Sequence, residues 1–163
     1  YVVYQFFNAA GGMLFNLIIY GILAIILGMI MVGPIPGFRL ANLPFALISA
    51  LLGMVINFFF LMTLGLTSFR LEENFAFFLI YQKLVFMLGM FIPVEFLPGW
   101  LQGITRCLPF PYVTWAPARL IVAFSWEFFR EVLPVQILWA LVSVLSALGM
   151  YRYGVAGIQA HGG

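Results

Sequence analysis

The sequence predicts an all-α integral membrane protein, a polytopic helical bundle with four transmembrane helices and a re-entrant or amphipathic hairpin before the last of them. Hydrophobic residues make up 65% of the chain and charged residues only 7%, whereas about a quarter of a soluble domain is charged. The apolar residues run continuously over helix-length windows instead of alternating as in a strand. Membrane lipid is therefore the expected solvent for the outer surface.

The four predicted spans follow from length. A bilayer core of about 30 Å is crossed by about 20 predominantly apolar residues in a helix. Four windows meet this requirement, namely residues 13–32, 45–66, 75–94 and 132–151. The chain opens with Tyr1 instead of Met, so we interpret it as a fragment of one transmembrane domain whose N-terminal part lies outside this sequence.

The connection over residues 95–131 differs from the others because it is long, apolar and rich in proline. It contains Pro98, Pro109, Pro111 and Pro117. Proline disrupts a helix interior, and non-helical backbone at membrane depth is tolerated only where protein or a water-filled cavity covers it. We expect short amphipathic helices that dip into the membrane and return, forming a hairpin-like region before the last span.

The sequence lacks the residues that most enzymatic sites need. It contains no aspartate, one histidine and one cysteine, Cys107, and its only lysine is Lys83. A phosphate-binding loop of the GxxxxGK[ST] form is absent, as are the residues for a catalytic triad or a metal cluster. The small, scattered net charge of +2 gives no indication of nucleic acid binding. We expect no enzymatic activity and no cofactor bound by this chain.

Several motifs in combination resemble a known family. Residues 91–101 read FIPVEFLPGWL, followed by LPFPY at 108–112 and APAR at 116–119. With YQFF at 4–7 and the tail from 151, they resemble the permeases of ABC-2 type exporters, in the bacterial branch of daunorubicin/viologen-like and multidrug-type permeases. The resemblance covers nearly all of the chain, as the C-terminal part of a permease with six helices, of which these spans are helices three to six.

The resemblance implies a function, partners and an orientation that the distribution of arginines does not settle. Two permease chains, identical or related, would enclose a translocation path in the bacterial inner membrane. A separate ATPase subunit would bind ATP and Mg²⁺ and contact a cytoplasmic coupling segment at Tyr4, Gln5, Phe6 and Phe7. Residues 67–74 and the tail at 152–163 would be cytoplasmic, and the 95–131 hairpin would be external.

Three polar residues within the predicted spans are candidates for the translocation path. Lys83 lies eight residues into its window, about 12 Å along a helix axis, and a charge at that depth usually faces protein or a cavity. Gln82 is its neighbour, and Asn57 lies within the preceding span. The alternatives are a lysine that extends to the interface, a helix that begins later, and an asparagine that only joins helices by hydrogen bonds.

The external hairpin contains the densest group of charged residues. Glu95, Arg106 and Arg119 are candidates for an external gate, because charges of both signs on a chain that folds back can pair across it. A structural role for these pairs and direct contact with the substrate both remain possible interpretations. The sequence does not predict the substrate.

Two other functions are compatible with these features. One is a lipid or polysaccharide exporter of the same superfamily, with the same machinery and a different cargo. The other is a membrane scaffold that retains the permease fold without transporting anything, and that would copurify with proteins other than an ATPase.

Overall fold

The structure is a computed structural model, and it describes residues 2–31, 33, 39–67, 75–92 and 94–161. These residues form helices joined by short connections, with no strand among them, which confirms the all-α prediction. The α-helices are α1 (Val2–Met31), α2 (Leu43–Thr67), α3 (Phe75–Phe86), α4 (Gly99–Cys107), α5 (Phe110–Val122) and α6 (Trp126–His161).

Two helical segments of the described chain are long and apolar enough to cross a membrane, Leu40–Thr67 and Trp126–Gly154. They contain the predicted spans 45–66 and 132–151. The apolar segment Phe75–Phe91 is shorter. It consists of the twelve residues of α3 and a five-residue π-helical continuation, Met87–Phe91. The first window, 13–32, falls largely within α1, which begins at Val2.

The membrane-length helix α6 has small and polar residues inside and large apolar residues outside. Its buried positions are Gln136, Ala140, Ser143 and Ala147. On the opposite face Leu138, Leu141 and Leu145 are 58%, 58% and 65% exposed. A water-soluble bundle buries its leucines, whereas helices in lipid associate through small residues and interhelical hydrogen bonds. The pattern is that of a helix with an apolar solvent on its outer side.

The core is formed where α2 packs on α6 and α5. The buried residues of α2 are Ala46, Ser49, Gly53 and Ile56, so small side chains permit a close approach here as well. A Cβ added to Gly53 would lie 2.7 Å from the Val113 carbonyl oxygen in α5. In a regular helix this carbonyl would accept a hydrogen bond from residue 117, but Pro117 has no N–H to donate. Gly53 packs directly against the carbonyl oxygen instead.

The proline-rich connection contains two helices, α4 and α5, followed by the first turn of α6. Helix α5 continues through Pro117 and buries one face between α2 and α6. Ser125 precedes α6, and its hydroxyl accepts a hydrogen bond from the Phe128 N–H at 3.1 Å, a typical N-cap. The segment 95–131 is therefore packed onto the core through α5.

Both ends of the described chain are helical. Residues 4–7, the predicted coupling segment, lie in the first turns of α1. Helix α6 continues beyond 152 to His161, so most of the predicted tail extends this helix. Apart from Thr67 itself, the predicted cytoplasmic connection 67–74 lies outside the described residues.

Candidate functional site

Three adjoining cavities lie beside α5, on the side where it meets α2 and α3. The first, the polar pocket, has a volume of about 420 Å³. It is lined by residues of α2, α3 and α5 and by Met90 of the π-helical segment. The second, the apolar groove, has a volume of about 760 Å³ and lies between α2 and α5. The third, the charged pocket, has a volume of about 460 Å³ and includes Glu95 and Arg119. Thr114 lines all three cavities.

The polar pocket contains all three predicted path residues, Asn57, Gln82 and Lys83. On α3 the lining positions include Leu79, Lys83 and Phe86, whose spacing of three or four residues places them on one helix face. Asn57 comes from α2, opposite this face. Residues that are separated by 26 positions in sequence therefore contribute to one cavity.

Lys83 is the charged residue of this pocket. The helical segment Phe75–Phe91 has Lys83 at its centre, eight residues from either end and so about 12 Å from each along the axis. The helix begins at Phe75, where the predicted window begins. Among the described residues, Lys83 forms no ion pair, and no carboxylate lines the polar pocket.

Asn57 joins two helices and still presents a polar group to the pocket. The buried Tyr81 hydroxyl donates a hydrogen bond to Asn57 Oδ1 at 3.1 Å. This contact fixes α2 against α3, as expected for a polar residue that joins helices. The Asn57 side-chain amide has two further N–H donors, and Asn57 lines both the polar pocket and the apolar groove.

Thr114 stands at the junction of the three cavities. Its hydroxyl oxygen is buried and has no hydrogen-bond partner in the part of the chain that the structure describes. Gly89, in the π-helical turn, packs against it so closely that an added Cβ would lie 2.3 Å from that oxygen. Buried polar atoms are nearly always hydrogen-bonded, so this hydroxyl has unused capacity at the centre of the site.

Two of the three predicted gate residues form an ion pair. The Arg119 guanidinium contacts the Glu95 carboxylate, and the Trp115 indole N–H donates to the same carboxylate at 3.2 Å. The guanidinium carbon also lies 4.2 Å from the centre of the Phe128 ring, a distance typical of cation–π contacts. The pair links the 3-10 turn Val94–Phe96, which follows the α3 segment, to α5 and the start of α6.

Arg106, the third gate residue, does not join this ion pair. It lines a separate cavity of about 270 Å³ that also contains Arg119, Glu127 and Glu131. Its carbonyl oxygen accepts a hydrogen bond from the Tyr112 hydroxyl at 2.7 Å. Burial raises the pKa of this hydroxyl above its ordinary value, so Tyr112 remains a donor and holds α4 against α5.

The predicted coupling segment lies in the first turns of α1, apart from these cavities. Tyr4 and Phe7 are 71% and 68% exposed, while the side chains of Gln5 and Phe6 are outside what the structure describes. The described residues contain no group of three or more His, Cys, Asp or Glu side chains that could hold a metal ion.

Sequence reasoning missed Thr114 and Tyr81 of the site, and Trp115 beside the gate pair. A threonine and two aromatic residues in apolar helices give no signal by themselves, because their importance depends on which helix faces them. The close helix contacts did leave a signal. Ser49 and Gly53, like Ser143 and Ala147, are small residues four positions apart, a spacing typical of interfaces between membrane helices.

Comparison with known proteins gives no match: no protein-family model, curated protein or solved structure is similar to this chain.

Proposed function

We propose that the chain is the transmembrane subunit of an ATP-driven exporter of the ABC-2 type, located in the bacterial inner membrane. The single observation that supports this most is the polar pocket, which contains Asn57, Gln82 and Lys83 within a helical bundle that has an apolar outer surface. A soluble protein has no need of that outer surface, and a simple membrane anchor has no need of a polar pocket between its helices.

In this proposal the polar pocket is part of the translocation path. The two long helices, the α3 segment and α1 are the four spans, and α4 and α5 form the external hairpin. A charge at membrane depth is maintained where it faces a cavity or a substrate. The path is completed by a second permease chain, identical or related.

The external gate in this proposal is the ion pair of Glu95 and Arg119. It lies in the charged pocket, which shares Met90 and Thr114 with the polar pocket. Opening the gate separates the turn Val94–Phe96, which follows the α3 segment, from α5. Arg106 contributes to the neighbouring cavity and not to this pair.

Energy must come from a separate subunit, because the sequence contains no phosphate-binding loop. An ATPase with its own ATP and Mg²⁺ would contact the start of α1, where Tyr4 and Phe7 present aromatic rings to the surface. Aromatic residues are prominent among those that dominate the energy of protein interfaces. ATP hydrolysis would then shift the paired permeases between inward-open and outward-open states by their difference in free energy.

The experiment is affinity purification of the full-length protein in mild detergent, followed by mass spectrometry. A stoichiometric ATPase subunit is expected with the wild type. It is expected to be lost from a variant with both Tyr4→Ala and Phe7→Ala, and retained in a Phe15→Ala control further along α1. Recovery of a different complex without an ATPase would favour the scaffold function, whereas lipid-stimulated ATP hydrolysis would favour a lipid exporter.

A further inference from the structure

The polar pocket offers hydrogen-bond donors in excess of acceptors. Lys83 contributes an ammonium group with three donors, and Asn57 contributes an amide whose oxygen already accepts from Tyr81. The partnerless Thr114 hydroxyl adds a further group. Among the residues that line these three cavities, the only acidic one is Glu95, in the charged pocket, and Arg119 already pairs with it. The Lys83 side chain is exposed and forms no ion pair among the described residues, so the ligand chemistry that complements this pocket is an anion.

The apolar groove adjoins the polar pocket. It shares only Asn57 and Thr114 with the polar pocket, and its other lining residues are apolar. Along α2 the lining residues recur at Leu43, Leu47, Ala50, Met54 and Asn57. This stripe runs over fifteen residues, and its ends are about 21 Å apart along the helix. A groove of this length that ends at a donor-rich pocket suits one extended hydrocarbon tail with a polar head.

We propose that these two cavities together bind an amphipathic anion, its negatively charged head at Lys83 and its single apolar tail in the apolar groove. The inference rests on the proposed function only in describing this molecule as the cargo. An ordinary bilayer lipid keeps its charged head at the interface, whereas Lys83 lies at the centre of its helical segment. A charged head bound at that depth therefore belongs to a molecule that is being transported. The positive charge of Lys83 favours an anionic cargo.

The test uses the full-length protein in nanodiscs of phosphatidylcholine and three photoreactive probes that share one alkyl tail. One probe ends in a sulfonate, one in an alcohol and one in a trimethylammonium group, and each has a diazirine near the end of its tail. Mass spectrometry then maps the labelled peptides. The sulfonate is expected to label residues 43–54 and 113–121 several-fold more than the alcohol, and the trimethylammonium probe least.

Substitutions separate the head site from the tail site. Lys83→Gln is expected to reduce sulfonate labelling several-fold, to the level of the alcohol, because a hydrogen bond to a charged group is lost. Lys83→Arg retains the preference, and Arg130→Gln, at an exposed arginine of α6 outside both cavities, leaves it unchanged. Ala118→Phe fills the groove and reduces labelling by every probe, whereas Ala76→Phe, at an exposed position near the start of α3, does not.

Equal labelling by the three probes, labelling elsewhere on the chain, or undiminished labelling of Lys83→Gln would each overturn the inference. These outcomes are distinct from failure of the proposed function. A copurifying ATPase without charge selectivity leaves the exporter proposal standing and overturns the anion site. Charge-selective labelling of a protein that brings no ATPase supports the site and overturns the exporter proposal.

Discussion

The side-chain amide of Gln136 forms two hydrogen bonds with Ser49, although the two residues are 87 positions apart. Gln136 Oε1 accepts from the Ser49 hydroxyl at 2.9 Å, and Gln136 Nε2 donates to the Ser49 carbonyl at 3.0 Å. The same Nε2 donates to the Tyr112 carbonyl at 2.9 Å. Both side chains are fully buried. One amide thus joins α2, α5 and α6, the three helices that form the core.

Gln136→Leu is expected to destabilise the protein by about 1–2 kcal/mol, because it leaves a buried hydroxyl and two carbonyls with fewer partners. Thermal unfolding in detergent, followed by tryptophan fluorescence, measures the change. The matched control is Gln82→Leu, at an exposed glutamine of α3, which is expected to change stability little. A Gln136→Leu protein as stable as the control would show that the three bonds contribute nothing net.

A second prediction concerns two glycines of α2, Gly53 and Gly65. Gly53→Ala places a methyl group against the Val113 and Tyr112 carbonyl oxygens, at 2.7 and 3.0 Å, and since both are backbone atoms α2 and α5 must move apart. We expect a loss of about 2 kcal/mol, in the range of overpacked cores. At Gly65 nothing lies within 4 Å of the added atom.

Gly65→Ala is therefore the control, and it is expected to raise stability by up to about 1 kcal/mol through helix propensity. Urea or detergent unfolding of both variants gives the comparison. If both substitutions had the same effect, the close contact of Gly53 with α5 would be absent from the folded protein.

The sequence was sufficient to predict the helices but not how they face one another. The windows 45–66 and 132–151 lie within the two long helices because continuous apolar length is a strong signal. Prolines likewise predicted a break between the α3 segment and the last helix. Pro117 did not end α5, however, which continues through it and packs on α2 along its length.

The polar and charged residues of the candidate site could be singled out from the sequence, but their pairing, and the contributions of Thr114 and Tyr81, could not. Lys83 and Asn57 stand out as polar residues in apolar windows, and the structure places both at one pocket. Glu95 pairs with Arg119 and not with Arg106, a choice that depends on how each short helix is rotated about its axis. An amphipathic pattern shows which face of a short helix is apolar, but not which charged residue on another segment that helix will meet.

The gate pair supports a third prediction. Glu95→Gln and Arg119→Gln are each expected to be destabilising, and the double variant less so than the sum. The coupling energy is about 0.5–1 kcal/mol, since both side chains are more than a third exposed, at 40% and 36%. Arg119→Lys is expected to recover only part of the stability that Arg119→Gln loses, because lysine lacks the planar group that stacks on Phe128.

Measurement of this coupling uses a double-mutant cycle on unfolding free energies. Arg130→Gln serves as the control, because Arg130 is exposed and forms no ion pair among the described residues. Strictly additive effects of the two gate substitutions would contradict an ion pair in the folded protein.

The last prediction separates stability from function at Thr114. Thr114→Val replaces a buried hydroxyl that lacks a partner by a methyl group of similar size, so the unfolding free energy is expected to rise by about 1 kcal/mol. The control is Thr63→Val in α2, where the hydroxyl donates to the Phe59 carbonyl at 2.7 Å and its loss brings no gain.

If the Thr114 hydroxyl is retained for a ligand, the same Thr114→Val protein binds the alkyl sulfonate several-fold more weakly than the wild type while unfolding at a higher temperature. Gains in stability that reduce function are typical of residues kept for binding. Thr114→Ser, which keeps the hydroxyl, is expected to retain binding. A Thr114→Val protein less stable than Thr63→Val would instead mean that the hydroxyl has a structural partner, and Thr114 would then belong to the packing of α5 and not to the site.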